Sequence, residues 1–92
     1  MKWEEIRNHY PRQWLVVEAV EAHSTAGKRS LDELGVLGVF PDSAQALRRY
    51  VQLHHKSPER ELYVLHTDRV EVVFEERHWL GLMNIHSAGS LP

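Results

Sequence analysis

The sequence predicts a small α+β domain, a mostly antiparallel sheet in the order helix, strand, strand, helix, strand, strand, with the central helix packed on one face. Three observations predict it. Two β-rich runs, Gln13 to His23 and Lys28 to Phe40, flank the turn signal Ser24-Thr25-Ala26-Gly27. Asp42 followed three residues later by Gln45 marks a helix start, because a side-chain oxygen can accept from the first turn's backbone while Gln45 reaches back. Leu62, Val64 and His66 alternate with Tyr63, Leu65 and Thr67, the period of a strand. Antiparallel strands with helices on one face bury one apolar face per element.

The N-terminal helix rests on Trp3, Ile6 and Tyr10 at helical spacing. Glu4 and Glu5 suit the positive end of the helix, and Pro11 closes it. The first strand begins Trp-Leu-Val-Val, so it should be buried on both faces at first and half exposed later. In the second, Leu34, Val36 and Phe40 should point one way and Leu37 and Val39 the other, while Gly35 and Gly38 suggest a bulge or a close backbone approach. The central helix should bury Ala44, Leu47, Tyr50, Val51 and His54 and stop before Ser57-Pro58. A last strand from Val70 to Phe74 should follow the first late strand after only Asp68 and Arg69, with His66-Thr67-Asp68 at the rim of a tight turn.

At 92 residues the chain has room for one core, and folding buries about 60 to 65% of the surface its unfolded form exposes. Residues 1–86 read as a single domain and 87–92 as a flexible tail. A net charge of −2 gives no general attraction to nucleic acid or membrane, and the lack of cysteine excludes disulfides, thiolate chemistry and Cys-based zinc sites. The charged start and the lack of a long apolar run fit neither a signal peptide nor a membrane span, so a cytoplasmic protein is expected.

Candidate chemistry is sparse. Among seven histidines no His-x-x-x-His pair exists, and His54 and His55 point about 100° apart on a helix. The best metal set is His23 and His66 with Glu18 or Glu21, against which stand scattered surface histidines. A hydrolase would need Ser24 or Thr25 with His66 and Asp68, without any Gly-x-Ser-x-Gly elbow. Glu18 and Glu21 fall on opposite faces of a regular strand and make no acid and base pair. Arg48, Arg49, Lys56 and Arg60 form a locally basic region that could meet phosphates. The bland alternative is a solvated helix face. No catalytic, cofactor or metal residue is assigned.

The blocks Trp3-Glu4-Glu5-Ile6, Tyr10-Pro11 through Gln13-Trp14, Val17-Glu18-Ala19 through Ala22-His23-Ser24, and Arg60-Glu61-Leu62-Tyr63-Val64 with His66-Thr67 resemble a family of short uncharacterised bacterial proteins. That resemblance carries no activity and no residue roles. The leading expectation is a non-enzymatic module that self-associates or binds a protein, as a homodimer through Val70, Val72, Phe74, Trp79, Leu82 and Met83. A nucleic-acid-binding module using the basic helix comes second, and a histidine-based metal enzyme third.

Overall fold

A computed structural model of the chain describes residues 1–76. Its elements are α1 (Trp3–His9), β1 (Trp14–Thr25), β2 (Lys28–Phe40), α2 (Ser43–Lys56), β3 (Leu62–His66) and β4 (Val73–Glu75). The α+β class holds: four strands form one antiparallel sheet in the order β3-β1-β2-β4. The expected boundary at residue 86 and the tail at 87–92 lie outside the described residues, as do Trp79, Leu82 and Met83.

Local signals act as expected at both helix starts. The Asp42 carboxylate accepts from the Gln45 backbone N–H at 2.8 Å, and the Gln45 side chain donates back to that same carboxylate at 3.0 Å. In α1 the Glu5 carboxylate accepts from the Lys2 backbone N–H at 2.8 Å. The helix phase set by Asp42 differs from the expected stripe. Ala46 and Tyr50 are buried, with Leu47 and Leu53 packed beside them, while Ala44 and Val51 are exposed. At 100° per residue, Ala46, Tyr50 and Leu53 share the side that meets the sheet, and Val51 turns away from it.

Each face of the sheet carries its own core. Val16, Leu62 and Val64 pack against Ala46 and Tyr50 of α2. Leu15, Val17, Leu31, Leu34, Tyr63 and Leu65 pack against Trp3 and Ile6 of α1. Ile6, Leu15, Val16 and Val17 have no exposed surface, and full burial of such side chains stabilises by about 1.5–3 kcal/mol each. The α1 helix therefore closes the face that a single covering helix would have left open.

The hairpin of β1 and β2 is irregular where the sequence hinted. Its two-residue loop places Ala26 at φ 53° and Gly27 at φ 76°, both positive as the tightest hairpin turns require. An alanine there carries strain of about 1–2 kcal/mol. A bulge at Leu37 breaks the β2 alternation, since Val16 pairs with Gly38 and Val17 with Val36. Phe40 consequently joins Leu37 on the α2 side, correcting the expectation that it would lie with Leu34 and Val36.

The end of the described chain departs furthest from expectation. His66 to Arg69 form a β-turn closed by Arg69 N–H donating to the His66 carbonyl at 3.0 Å. No hairpin follows. The chain crosses the α1 face to the far edge, where the strand is only Val73–Glu75 and pairs with Lys28 to Ser30 of β2. Trp3 fixes this crossing by donating its indole N–H to the Arg69 carbonyl at 2.8 Å, and Val72 fills the α1-side core. Burying Val72 there takes more of the chain than a tight hairpin would allow.

Gly38 shows why the bulge needs a glycine. A Cβ on it would stand 2.6 Å from Phe40 Cζ, whereas one on Gly35 would meet only Val20 Cγ2, at 3.7 Å. Gly38→Ala should lose about 1–3 kcal/mol in urea unfolding, as overpacked sites do. Gly35→Ala should change stability by no more than about 0.5 kcal/mol. Equal effects of the two would show that the Phe40 ring does not hold this position.

Candidate functional site

The densest polar cluster lies around the segment that enters β3. Consecutive residues Arg60 and Glu61 reach opposite faces of the sheet. Arg60 makes two bonds to the Glu18 carboxylate, at 2.7 and 3.1 Å. Glu61 accepts two from the Arg29 guanidinium, at 2.8 and 3.0 Å, and a third from the Tyr63 hydroxyl at 2.7 Å. Arg29 also donates to the Ser24 hydroxyl, which in turn donates to Glu76. These pairs clamp the segment before β3 to the middle of β1 and the start of β2.

The electrostatics match this clamping. Hydrogen bonds from Arg60 hold the Glu18 carboxyl below its ordinary range. Burial, then the hydrogen bond to Glu61, pushes the Tyr63 phenol up. Tyr63 is 1% exposed, so its protonated hydroxyl serves as a fixed donor inside the fold. The guanidinium forks and both carboxylates are consumed by one another, which is the arrangement of a lock.

The expected catalytic and metal sets are pulled apart. Trp14 at the start of β1 pairs with His66, and His23 lies nine residues further along, roughly 30 Å away at the rise of an extended strand. His23 instead approaches Asp32 at 2.6 Å on the exposed hairpin arm. His66 accepts the Asp68 backbone N–H on Nδ1 at 3.0 Å, which leaves its proton on Nε2, and its ring meets Trp14 edge to face. Ser24 and Thr25 sit at the opposite end of β1 from His66 and Asp68, so no nucleophile, base and orienter converge there. No group of three or more His, Asp or Glu among the described residues is arranged to hold a metal.

A polar cleft of about 250 Å³ opens between α1 and the 66–69 turn, lined by Glu4, Arg7, Asn8, Arg12, Thr67 and Asp68 among others. Its charges balance, and its buried member is already satisfied. Thr67 exchanges bonds with the Gln13 backbone through both its hydroxyl and its own N–H, and its carbonyl accepts from Arg7 Nε at 3.0 Å. Arg12 holds φ 54° at the turn out of α1. The cleft is smaller than the roughly 300–1,000 Å³ of ordinary ligand pockets.

The basic set loses a member, because Arg60 is taken by Glu18. Arg48, Arg49 and Lys56 stay exposed on α2, with Arg49 donating to Gln52 at 3.1 Å. Of the expected interface residues, Val70 is 71% exposed, but Val72 at 6% belongs to the chain's own core and is corrected out of any interface. Phe74 is partly buried, stacked on Tyr63 with the Arg69 guanidinium 4.4 Å from its ring centre. The chain matches no protein-family model, no curated protein and no solved structure.

Sequence reasoning missed a fourth arrangement. Ala19 and Ala22 both pack on the α1-side core, as do Leu31 and Leu34. The residues between, Val20 and Glu21 on β1 and Asp32 and Glu33 on β2, therefore turn to the other face, where α2 does not reach. Two more bulges in the hairpin register, at these same places, produce that result. The paired Ala-x-x-Ala and Leu-x-x-Leu spacings were the available signal.

The Glu18–Arg60 pair has a pH signature. A carboxyl depressed in the folded state adds stability above its unfolded pKa, and that stability is lost as pH falls through the folded value. The melting temperature should therefore drop as the solution is acidified through and below the ordinary carboxylate range, and less steeply in Glu18→Gln. Superimposable acid profiles would show that Arg60 does not hold this carboxylate in solution.

Proposed function

We propose that this protein is a binding module of the bacterial cytoplasm that acts by pairing with itself or with a protein partner, and is not an enzyme. One observation carries the reading. The hairpin outruns its cover: β3 pairs with β1 as far as Glu18 and β4 with β2 from Lys28 to Ser30, extended by single backbone bonds from Ala19 to Glu61, Leu31 to Val72 and Leu34 to Met1. On the α2 side no described element covers the rest of the arm, and Val20 is 63% exposed on it. Uncovered sheet of this kind in so small a domain is the surface on which protein partners settle. No helix among the described residues is long and apolar enough to cross a membrane.

A second reading keeps the nucleic-acid alternative, because α2 contains no acidic residue and exposes Arg48, Arg49 and Lys56. With Arg60 paired, at most three cations meet phosphates, and such contacts confer affinity that falls steeply with salt. The net charge of −2 opposes it.

Sedimentation distinguishes the first reading: the chain should run as a dimer at about 100 μM, well above the micromolar constants of specific interfaces. A monomer at that concentration would remove self-association. Oligonucleotide binding should be absent even at about 50 mM salt, where phosphate contacts are strong. Micromolar affinity at physiological salt, abolished by Arg48→Ala with Arg49→Ala in a protein that still folds, would put the second reading first.

A further inference from the structure

The bare half-face and the helix beside it have opposite charge. On the arm, Val20 is neighboured by Glu21, Asp32 and Glu33, with His23 against Asp32 at 2.6 Å. Glu21 and Glu33 are direct cross-strand partners, a like-charge pairing that destabilises an isolated sheet. Glu33 is relieved by the Met1 amino group at 2.9 Å and Lys2 at 3.4 Å, and the hydrogen bond from that amino group holds its carboxyl low. Among the described residues Glu21 has no such ion pair. On α2, Val51 is 54% exposed beside Arg48 and His55 at helical spacing, and Arg49 and Lys56 lie on the flank beyond Arg48.

The positions are complementary as well as the charges. The helix rests on the first half of the sheet's face, over Val16, Leu62 and Val64, and none of the described residues packs on the second half of that face. The protein is therefore a step. A two-fold axis in the plane of the helix layer, across the strands, sets the helix of one copy on the empty half of the other and the reverse. The result is a middle layer of two helices between two sheets.

The geometry points to a symmetric dimer in which the outer face of α2, centred on Val51 and Arg48, docks on the bare hairpin face of a second copy, centred on Val20 and Glu21. This deepens the proposed function and rests on its self-association reading. A second copy is favoured over another protein because each chain carries both halves of the contact, and because a patch that meets its complement under a two-fold forms a closed pair. The two-fold repeats the contact and so doubles its area, and specific interfaces begin at roughly 1,200 Å². It also gives the Glu21 and Glu33 pairing a cationic partner.

Charge reversal in two separate chains tests this. Arg48→Glu with Arg49→Glu makes the helix acidic, and Glu21→Arg with Asp32→Arg makes the arm basic; all four side chains are at least partly exposed, and a circular-dichroism melt of each variant serves as the check of folding. Each variant alone should sediment as a monomer, its dimer constant weakened at least about tenfold by like charges across the contact. An equimolar mixture should recover a dimer within about threefold of the wild-type constant, since one contact pairs the two reversed patches and the other the two native ones. If a double variant fails to fold, Arg48→Glu and Glu21→Arg serve in the same mixing experiment. A dimeric wild type whose variants stay dimeric, or whose mixture stays monomeric, overturns this surface and leaves self-association standing. A monomeric wild type overturns both.

Discussion

The β1–β2 hairpin is longer than the other described elements can cover, and this mismatch governs the rest of the described structure. Its arms run 12 and 13 residues, while β3 has 5 and β4 has 3. A sheet face left to water wastes apolar burial, so the remaining elements are distributed along the hairpin. β3 and α2 take the half near Trp14 and Phe40. β4 and the crossing segment take the half near the loop, on the other face, and α1 bridges toward the middle with Trp3 against the crossing. Every described element touches the hairpin, and its register decides which side chains meet.

The bulges set that register. Without those between Ala19 and Ala22 and between Leu31 and Leu34, strict alternation along each strand would put one member of each pair in solvent. With them, all four apolar residues reach the α1-side core, and Val20, Glu21, Asp32 and Glu33 are placed together on the opposite face. The same local irregularity thus closes one core and creates the acidic, uncovered surface behind it. Arg60 and Glu61 have a comparable double effect. As neighbours in an extended chain they point to opposite faces, and each ties β3 to a different part of the hairpin.

Much of this was legible in the residues and some was not. Asp42 with Gln45 gives the start of α2 because capping is local, and the alternation from Leu62 to Leu65 gives β3 with its two faces. The hairpin turn is legible in Ala26-Gly27. What failed depended on distance. Val72 looks like a strand residue facing its neighbour, but the indole of Trp3, 66 residues from its acceptor at Arg69, draws the chain across the sheet instead. Arg60 looks like a free cation on a basic helix end until the strand register brings Glu18 beside it. His23 and His66 look equally available as ligands, and only the antiparallel pairing places them at opposite ends of one strand. No local pattern encodes such pairings, because they are properties of the register.

The charge layout follows from the same allocation and bears on what the protein can do. The chain's net charge is small, yet the signs are segregated: α2 has three exposed cations and no carboxylate, while Glu21, Asp32 and Glu33 gather on the arm. Two of the three acids have partners on the arm itself, Glu33 in the Met1 amino group and Lys2 and Asp32 in His23, and the two clamps show that the fold pairs Arg with Glu where it needs rigidity. Arg29 and Arg60 are spent in that way on partly buried carboxylates. The cations of α2 and the acids of the arm are instead held apart on one side of the sheet, separated by the width of the step between helix and bare strand. A separation of opposite charges across a step in the surface leaves the α2 cations and Glu21 as the groups that a partner of complementary shape and sign would neutralise.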